Sequence, residues 1–565
     1  MSLKELSEKL YPAFAEKFAS GKPCRLFLSA SSMKERATVC NVVCDTPEEA
    51  WATALTALKD ALDKKNIVKP SILRADWVTS SETLTWSDCL KKIKSVRRNW
   101  FRKGIALDKD YRLAFTEQEL NANLILYDEK QEKPNGDFRL DRAETYCRQR
   151  FGCSFPQLAE TDEVEIFETE GVFYQSGTDA PLTITGKGEN AGRRDTPKGD
   201  SEFFLKLART GGNYLAQQCN KKGRFIYGLY PCDDTIVPSY NSMRHFSTLF
   251  SMIDVYSTYG KMGNVTLGKA ISRGLEYAIK TFVRYKKLPD GTEAAYLEDR
   301  KELKLGANGV VILALARWSE LQNTKKYIPL MRAMARGIFS MQKPDGSFTH
   351  VLNAADYTVK AEFRTPYYDG EAVFGMLRLY AITKDEELLA ASERAFKWFI
   401  ATNYWKNYDH WLSYAVNELT IYKPEAKYFE FGLNNCLPYL SFIRDRDTYW
   451  PTLLELIMAA YNMLRRMESM PEMGDLLERV DWKVFHTALN TRAERMLNGY
   501  FWAETAMYFQ NPERIVGSFC IRHHAFRVRI DDVQHYLSGF IAYSKYLKVE
   551  ENRLIATGDY DLFED

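Results

Sequence analysis

From about residue 200 onward, the sequence is a succession of amphipathic helical segments joined by short turns that contain glycine. The periodicity predicts about twelve helices, over 200–219, 240–259, 265–284, 305–321, 325–342, 367–383, 386–402, 409–420, 425–444, 450–467, 481–497 and 531–547. Pro-Asp-Gly turns at 289–291 and 344–346 each follow one long helix and precede another. This spacing indicates an internal repeat of a helix pair about 50–60 residues long. Six such pairs can close into a ring that buries the inner helix faces and leaves a funnel at one end.

The segment before this repeat has a different character. "CRLFLSA", "ATVCNVVC" and "PSILRADWVT" predict strands, and "TPEEAWATALTALKDALDKK" predicts a helix with Thr46 as its N-cap and Pro47 at its first position. "DEVEIFETEGVFYQSG" predicts a β-hairpin, and "TITGKGENAGRRDTPKGD" has the glycine and charge content of a linker. We therefore predict a mainly α chain with a small α/β domain over 1–155, a hairpin and linker over 156–200, an (α/α)6 toroid over 201–550 and a C-terminal tail over 551–565.

The motifs of the repeat carry a resemblance to known enzymes. "PDGSF" after an outer helix and "YYDGEAVFGMLRLY" opening an inner one look like the (α/α)6-toroid enzymes of carbohydrate chemistry. That group includes unsaturated glucuronyl hydrolases, cellobiose and N-acylglucosamine 2-epimerases, and the helical domains of uronate lyases and C5-epimerases. The resemblance covers roughly residues 195–550 and is one of architecture and turn motifs, and the first 155 residues have no counterpart in it. It implies a carbohydrate-active enzyme, but because a fold does not fix a function, the site has to be argued from its own residues.

Composition and charge narrow the classes of partner. The 77 basic and 75 acidic residues leave a net charge of +2, which gives no global electrostatic footprint for nucleic acid or an anionic membrane. No window reaches the length of a membrane span, and the N-terminus "MSLKELSEKLYPAFAEKF" lacks the apolar run of a secretory signal, so we expect a cytoplasmic protein. The ten cysteines are scattered without a CxxC pair, which favours reduced thiols and no structural zinc. Without a Walker-type loop or a GxGxxG after a strand, we expect no cofactor; the expected partner is a glycan or oligosaccharide.

Four segments place reactive side chains where the funnel is predicted. In "SYNSMRHFSTLF", a helix would put Tyr240, Asn241, Arg244 and His245 on one side and apolar residues on the other. The remaining candidates follow: "YPCDDT" contributes Asp234, "TPYYDGEAVF" contributes Tyr367, Tyr368, Asp369 and Glu371, "NYDHWLSYAVNEL" contributes Asp409, His410 and Trp411, and "RHHAFRVRIDDVQHYLSGF" contributes Arg527, Arg529, Asp531, Asp532 and His535.

Each candidate also has a structural interpretation. Asp369, Asp531 and Asp532 are placed where they would cap helices, and Asp234 has the setting of a turn residue. Tyr240, Asn241, Arg244 and His245 would also suit a buried hydrogen-bond network that fixes helix contacts. A metal site formed by the histidines of the last segment with Asp531 lacks a recognisable ligand motif, so no metal is predicted.

Two chemistries fit these candidates. Glycoside hydrolysis needs a carboxylic acid and a carboxylate, for which Asp369, Glu371 and Asp532 are predicted catalytic groups. Uronate elimination or sugar epimerisation needs cationic and amide groups around a sugar carboxylate and a Tyr or His that moves the proton. Tyr240, Asn241, Arg244 and His245 supply that set within six residues, with Tyr240, Arg244 and His245 as predicted catalytic groups. His535 is also predicted to be catalytic, and the other candidates are predicted to bind substrate, with Arg527 and Arg529 as a second clamp for an anionic sugar. Hydrolysis is placed first, elimination or epimerisation second, and a non-catalytic glycan-binding or scaffold role third.

Overall fold

The chain folds into two compact units. The computed structural model describes residues 1–18, 23–129, 134–185 and 187–557. The first of the two units, here called the sheet unit, comprises Met1–Lys198, Gly228–Val237 and Asn498–Val528. The second, the helical unit, comprises Gly199–Tyr227, Pro238–Leu497 and Arg529–Asp565. The predicted boundaries are therefore corrected, because 228–237 and 498–528 leave the region assigned to the toroid and join the sheet unit.

The sheet unit is built on a seven-stranded sheet in which neighbouring strands are antiparallel. Its order is Thr38–Cys44, Cys24–Ser31, Ile72–Thr85, Glu163–Gln175, Gly104–Ala106 and Ala114–Phe115, with Leu182–Ile184 also paired to Glu163–Gln175. Its helices are Leu3–Lys17, Pro47–Lys64, Trp86–Ser95, Glu117–Ala122, Leu140–Phe151 and Ala503–Ala506, and Gly228–Tyr230 pairs with Thr235–Ile236 in a small hairpin. Thr46 caps Pro47–Lys64 as predicted, since its side chain accepts a hydrogen bond from the Glu49 amide at 3.2 Å.

The predicted β-hairpin over 162–177 is wrong. The segment is one long strand, Glu163–Gln175, paired along its length with Ile72–Thr85. Gly171 lies in the ladder opposite Asp76, where a Cβ would come within 2.6 Å of the Ala75 carbonyl oxygen. This glycine therefore permits a close approach of two strands and makes no turn, and 163–184 belongs to the sheet instead of a linker.

All twelve predicted helices are present in the helical unit. The outer helices are Ser201–Gln218, Val265–Phe282, Ile328–Met341, Glu386–Ala401, Ala426–Asn434 and Trp482–Met496, and the inner helices are Ser242–Ser257, Leu305–Gln322, Tyr367–Thr383, His410–Tyr422, Thr452–Met467 and Ile530–Thr557. The predicted helix over 425–444 is interrupted and resumes as Leu440–Asp445, and a short helix, Gly474–Leu477, lies between the last two pairs. A five-stranded sheet is formed by the connections within the second and third helix pairs. Its strand order is Val283–Lys287, Glu293–Asp299, Glu302–Lys304, Val351–Asn353 and Val359–Ala361.

The six inner helices close into a ring. Each inner helix contacts the next one along the chain, and the last, Ile530–Thr557, contacts the first, Ser242–Ser257. Leu305–Gln322 and Tyr367–Thr383 are buried around most of their circumference, because each has an inner neighbour on both sides and an outer helix behind it. The predicted fold class, an (α/α)6 toroid preceded by a smaller unit containing a sheet, is confirmed. Among the described residues, no helix has both the length and the apolar content needed to cross a bilayer.

Candidate active site

The first turns of the inner helices bring the candidate residues to one end of the ring. An outer helix returns the chain after each inner helix, so the inner helices run parallel and their N-termini lie at the same end. The side chains from the first two turns, or from the residue just before the helix, are Arg244, Glu371, Asp409, His410, Glu455, Asp531, Asp532 and His535. Helix N-termini carry a partial positive charge, which favours this concentration of carboxylates.

Two histidines form the centre of this cluster. The rings of His410 and His535 are 5.3 Å apart between centroids and nearly perpendicular. His535 Nδ1 lies 2.6 Å from Glu455 Oε2, and His410 Nδ1 lies 3.1 Å from Asp409 Oδ1. A carboxylate only accepts hydrogen bonds, so the proton of His535 is held on Nδ1 and its Nε2 keeps the lone pair. His410 Nε2 is buried and has no hydrogen-bond partner within the described ranges.

Glu455 is a site residue that the sequence analysis missed. It is almost completely buried, and its other oxygen, Oε1, accepts a hydrogen bond from Tyr414 Oη at 3.2 Å. A signal was present, since Glu455 is the one acid in the apolar run "TLLELIMAAY". A carboxylate held by a tyrosine on one side and a histidine on the other orients the imidazole and stabilises its protonated form.

The same three side chains could hold a divalent metal ion. His410, Glu455 and His535 each offer one ligand atom, and these atoms lie within 4.8 Å of one another. Imidazole and carboxylate ligands suit zinc and similar ions. The absence of a metal therefore stays a prediction.

Glu371 is a buried carboxyl beside this centre. It is 1% exposed, and burial raises its pKa well above the ordinary value of 4.5, with Arg244 opposing the shift and Asp409 and Asp369 adding to it. Its Oε2 has no hydrogen-bond partner in the described part of the chain. Gly306 makes room for this group, since a Cβ there would lie 1.9 Å from Oε2. Burial thus favours the un-ionised form of Glu371, which can donate a hydrogen bond.

The raised pKa of Glu371 predicts the direction in which the stability of the protein changes with pH. A carboxyl with a raised pKa in the folded state contributes stability that is complete below its unfolded pKa and is lost as pH rises through the folded value. Glu371→Gln is therefore expected to match the wild type near pH 4.5 and to exceed its unfolding free energy by about 1–3 kcal/mol at pH 8, measured by thermal unfolding across that range.

Glu302 is the matched control for that series. Arg364 and Lys360 lower its pKa to about 2, so its contribution is present above pH 4.5 and is lost as pH falls towards 2. Glu302→Gln should lower stability at pH 8 and converge on the wild type in acid. A Glu371→Gln profile that falls in parallel with Glu302→Gln would contradict the raised pKa.

The arginines at this end of the ring are paired with carboxylates. Arg244 Nε lies 3.4 Å from Asp531 Oδ2, and Arg529 lies 2.6 Å from Asp531 and 3.2 Å from Asp532. Asp531 and Asp532 also lie in the first turn of the helix Ile530–Thr557, where acidic residues are favoured. These pairs neutralise the charge that was predicted to clamp an anionic sugar.

Asp369 is held by hydrogen bonds within the protein, and the aromatic residues predicted to bind substrate differ in their exposure. Asp369 Oδ2 is bound by His350 Nε2 at 3.0 Å and by Tyr404 Oη at 2.8 Å, so this carboxylate fixes the start of Tyr367–Thr383. The remaining predicted binding residues differ in exposure: Tyr367 is 40% exposed with its ring 6.1 Å from that of His410, Tyr368 is buried, and Trp411 is 2% exposed in the core.

The structure divides the group Tyr240, Asn241, Arg244 and His245. The helix begins at Ser242, so Tyr240 and Asn241 precede it, and Asn241 is its N-cap. His245 is fully buried, with Nδ1 2.7 Å from Tyr240 Oη and Nε2 2.9 Å from the Gly274 carbonyl oxygen. Burial lowers the pKa of His245 to about 4, so the ring is neutral and joins this helix to its outer partner. The expectation that all four share one side is corrected, and Arg244 alone faces Asp531.

Two predicted residues fall in the sheet unit. Asp234 pairs with Arg514 at 2.6 Å and has a left-handed backbone with φ of 51°, as expected of a turn residue. Arg527 closes a short turn in which its amide donates to the His524 carbonyl oxygen. Neither belongs to the ring of inner helices.

Fold and site together define an (α/α)6 toroid with a histidine and carboxylate centre at the N-terminal end of its inner helices. No protein-family model matches the chain, and no curated protein matches its sequence. Among solved structures, it is similar to D-mannose isomerase, at 11% identity and a TM-score of 0.46 over 62% of this chain and 100% of that one. It is also similar to cellobiose 2-epimerase from Bacillus thermoamylovorans B4167, at 10% identity and a TM-score of 0.45 over 61% of this chain and 100% of that one.

A third similar structure is the GH76A α-1,6-mannanase from Salegentibacter sp. HEL1_6, at 12% identity and a TM-score of 0.42 over 61% of this chain and 99% of that one. The three matched proteins are carbohydrate-active enzymes of the kind that the sequence resembles. At this level of identity the likeness concerns the fold alone, and the substrate and reaction of this chain have to be derived from its own site.

Proposed function

We propose that this chain is a carbohydrate-active enzyme that moves a proton at a carbon next to a sugar carbonyl, as a sugar isomerase or epimerase does. The observation that carries the proposal is the pair His410 and His535, whose ring centroids are 5.3 Å apart, with His535 Nδ1 2.6 Å from Glu455 Oε2 and His410 Nδ1 3.1 Å from Asp409 Oδ1. One nitrogen of each ring lies within 4.8 Å of the other, so a substrate atom that contacts both nitrogens can lie within about 3 Å of each, the distance needed for proton transfer.

The roles follow from the protonation states. His535 Nε2 carries the lone pair and accepts the substrate proton, while Glu455 stabilises the imidazolium that forms. His410 Nε2, which has no protein hydrogen-bond partner among the described residues, returns a proton to the substrate when its ring carries protons on both nitrogens. Glu371, un-ionised, donates a hydrogen bond to a sugar oxygen on which negative charge develops.

The surroundings favour a neutral sugar as the substrate. Arg244 and Arg529 are paired with Asp531 and Asp532, so most of their positive charge is neutralised by carboxylates of the protein itself. The half-exposed ring of Tyr367 beside His410 offers an apolar face on which a sugar ring can pack. Elimination from a uronate by Tyr240 and His245 is disfavoured, since these two side chains bind each other and Gly274.

Glycoside hydrolysis is the second candidate, and Glu371 is the observation that favours it. A carboxyl kept protonated at neutral pH can protonate a leaving oxygen, and Asp409, close enough to raise the pKa of Glu371, can act as the base. A non-catalytic binding role differs from both, because it predicts no turnover.

The test is to follow a panel of neutral aldoses and oligosaccharides in deuterated water by NMR, together with reducing ends and the ultraviolet absorbance of unsaturated uronates. The expected result is deuterium at the carbon next to the carbonyl, with a new sugar isomer and no new reducing ends. New reducing ends without deuterium would replace this proposal by hydrolysis. Absorbance would replace it by elimination, and binding of a sugar without any change would replace it by a scaffold role.

A further inference from the structure

Two cysteines of the sheet unit lie in contact, outside the site described above. Cys147 is in the last turns of Leu140–Phe151, and Cys153 follows the end of that helix, with the two Sγ atoms 3.9 Å apart. Gly152 ends the helix in a left-handed conformation with φ of 74°, which turns the chain back so that Cys153 faces Cys147. A disulfide of about 2.05 Å needs the sulfurs to approach by about 2 Å, and the exposed side chain of Cys153, just after the helix end, can rotate towards Cys147.

Neighbouring contacts hold the turn in the geometry that brings the thiols together. Glu144 Oε2 accepts a hydrogen bond from the Phe155 amide at 2.6 Å, and Glu144 Oε1 accepts one from Arg148 Nε at 2.6 Å. Arg148 also reaches Ser154 Oγ at 3.5 Å. The segment after Cys153 is therefore fastened to the face of the helix that carries Cys147.

The two thiols differ in accessibility. Of the cysteines in the part of the chain that the structure describes, Cys153 alone is exposed, whereas Cys147 is fully buried. Burial, reinforced by the contact with Cys153, raises the pKa of Cys147 to about 12. An oxidant in solution therefore meets Cys153 first, and Cys147 is placed to react only with the sulfur of Cys153.

We propose that Cys147 and Cys153 form a reversible disulfide by exchange with a small disulfide such as glutathione disulfide. The Cys153 thiolate attacks one glutathione sulfur, forming a mixed disulfide and releasing one glutathione thiolate. The Cys147 thiolate then attacks the Cys153 sulfur and releases the second glutathione thiolate. Both cysteines are oxidised, one glutathione disulfide is reduced to two glutathione molecules, and these carry the two protons that the cysteines lose.

The bridge would act on a nearby cavity. A cavity of about 1070 Å³ is lined on one side by Leu140, Asp141 and Glu144 of the helix and on the other by the segment 154–158. Trp86 and Phe138 line the rest of its apolar wall. Because Cys153 directly precedes the second wall, the disulfide ties both walls together next to the cavity. This site is independent of the proposed sugar chemistry.

The test is to equilibrate the full chain with reduced and oxidised glutathione and to measure intact mass and disulfide-linked peptides. In oxidising buffer the wild type is expected to lose about 2 Da, with a peptide linking Cys147 to Cys153, and to regain it with dithiothreitol. Cys147→Ser is expected to stop at a glutathione adduct of about 305 Da on Cys153, and Cys153→Ser to show neither product.

Cys44→Ser, on a half-buried strand position, is the matched control and should behave as the wild type does. If a serine variant fails to fold, alkylation of Cys153 in the folded wild type replaces it and is expected to block the bridge. A bridge between other cysteines, a wild type that retains the glutathione adduct, or a wild type that stays unmodified would each overturn the proposal.

Discussion

Replacing His535 with asparagine is expected to lower turnover of the proposed proton exchange by about 10²–10⁴-fold, because the general base that accepts the substrate proton is removed. Asparagine retains a donor near Glu455 and lacks the Nε2 lone pair, so the change acts on proton transfer more than on the fold. The measurement is the rate of deuterium incorporation into the substrate under saturating conditions. His410→Asn is expected to have an effect of similar size, since the reaction needs both groups.

A matched control separates this loss from general damage. His524 is exposed and belongs to the sheet unit, so His524→Asn should leave the exchange rate within a factor of about two. Glu455→Gln is expected to lower the rate and to move the pH profile, because the amide no longer fixes the proton on Nδ1 of His535. Full exchange activity in His535→Asn with normal thermal stability would contradict its role as the base.

The helices could be predicted from the sequence, whereas the path of the chain between the two units could not. Amphipathic periodicity is local, and all twelve helical segments and the capping of Pro47–Lys64 by Thr46 follow from residues close in sequence. The segments 228–237 and 498–528 belong to the sheet unit because of contacts with residues far away in the sequence, which a local pattern does not show. The long strand Glu163–Gln175 was misjudged for the same reason, since its partner Ile72–Thr85 lies about 90 residues earlier in the chain.

The sequence predicted a place for the site but not the contacts within it. The openings of the inner helices were chosen as the places where reactive groups gather, and the structure brings His410, Glu371 and His535 to that end of the ring, while their roles stay predictions. That His410 and His535 meet depends on ring closure, which no local pattern encodes. His245 shows the converse: a histidine among polar neighbours in sequence is buried against Gly274, because the outer helix covers that side.

Replacing Gly309, where two inner helices cross, is expected to have the largest effect on the free energy of unfolding. Leu305–Gln322 and Tyr367–Thr383 approach so closely that a Cβ on Gly309 would lie 2.1 Å from the Glu371 carbonyl oxygen and 2.5 Å from its carbonyl carbon. Backbone atoms of a helix cannot rotate away as a side chain can, so Gly309→Ala must move one helix and loosen the inner ring. We expect a loss of about 2–3 kcal/mol in the free energy of unfolding, measured by denaturant or thermal unfolding, despite the better helix propensity of alanine.

The expected loss has a control in the same unit and a consequence for the site. Gly474 has helical backbone angles, φ −52° and ψ −51°, and a Cβ there would meet no atom within 4 Å, so Gly474→Ala should be neutral or slightly stabilising. Glu371 sits on the helix that Gly309→Ala displaces, so the variant should also lose exchange activity at temperatures where it remains folded. If Gly309→Ala were as stable as the wild type, the two helices could move apart at no cost. Their close packing could then not explain the burial that raises the pKa of Glu371.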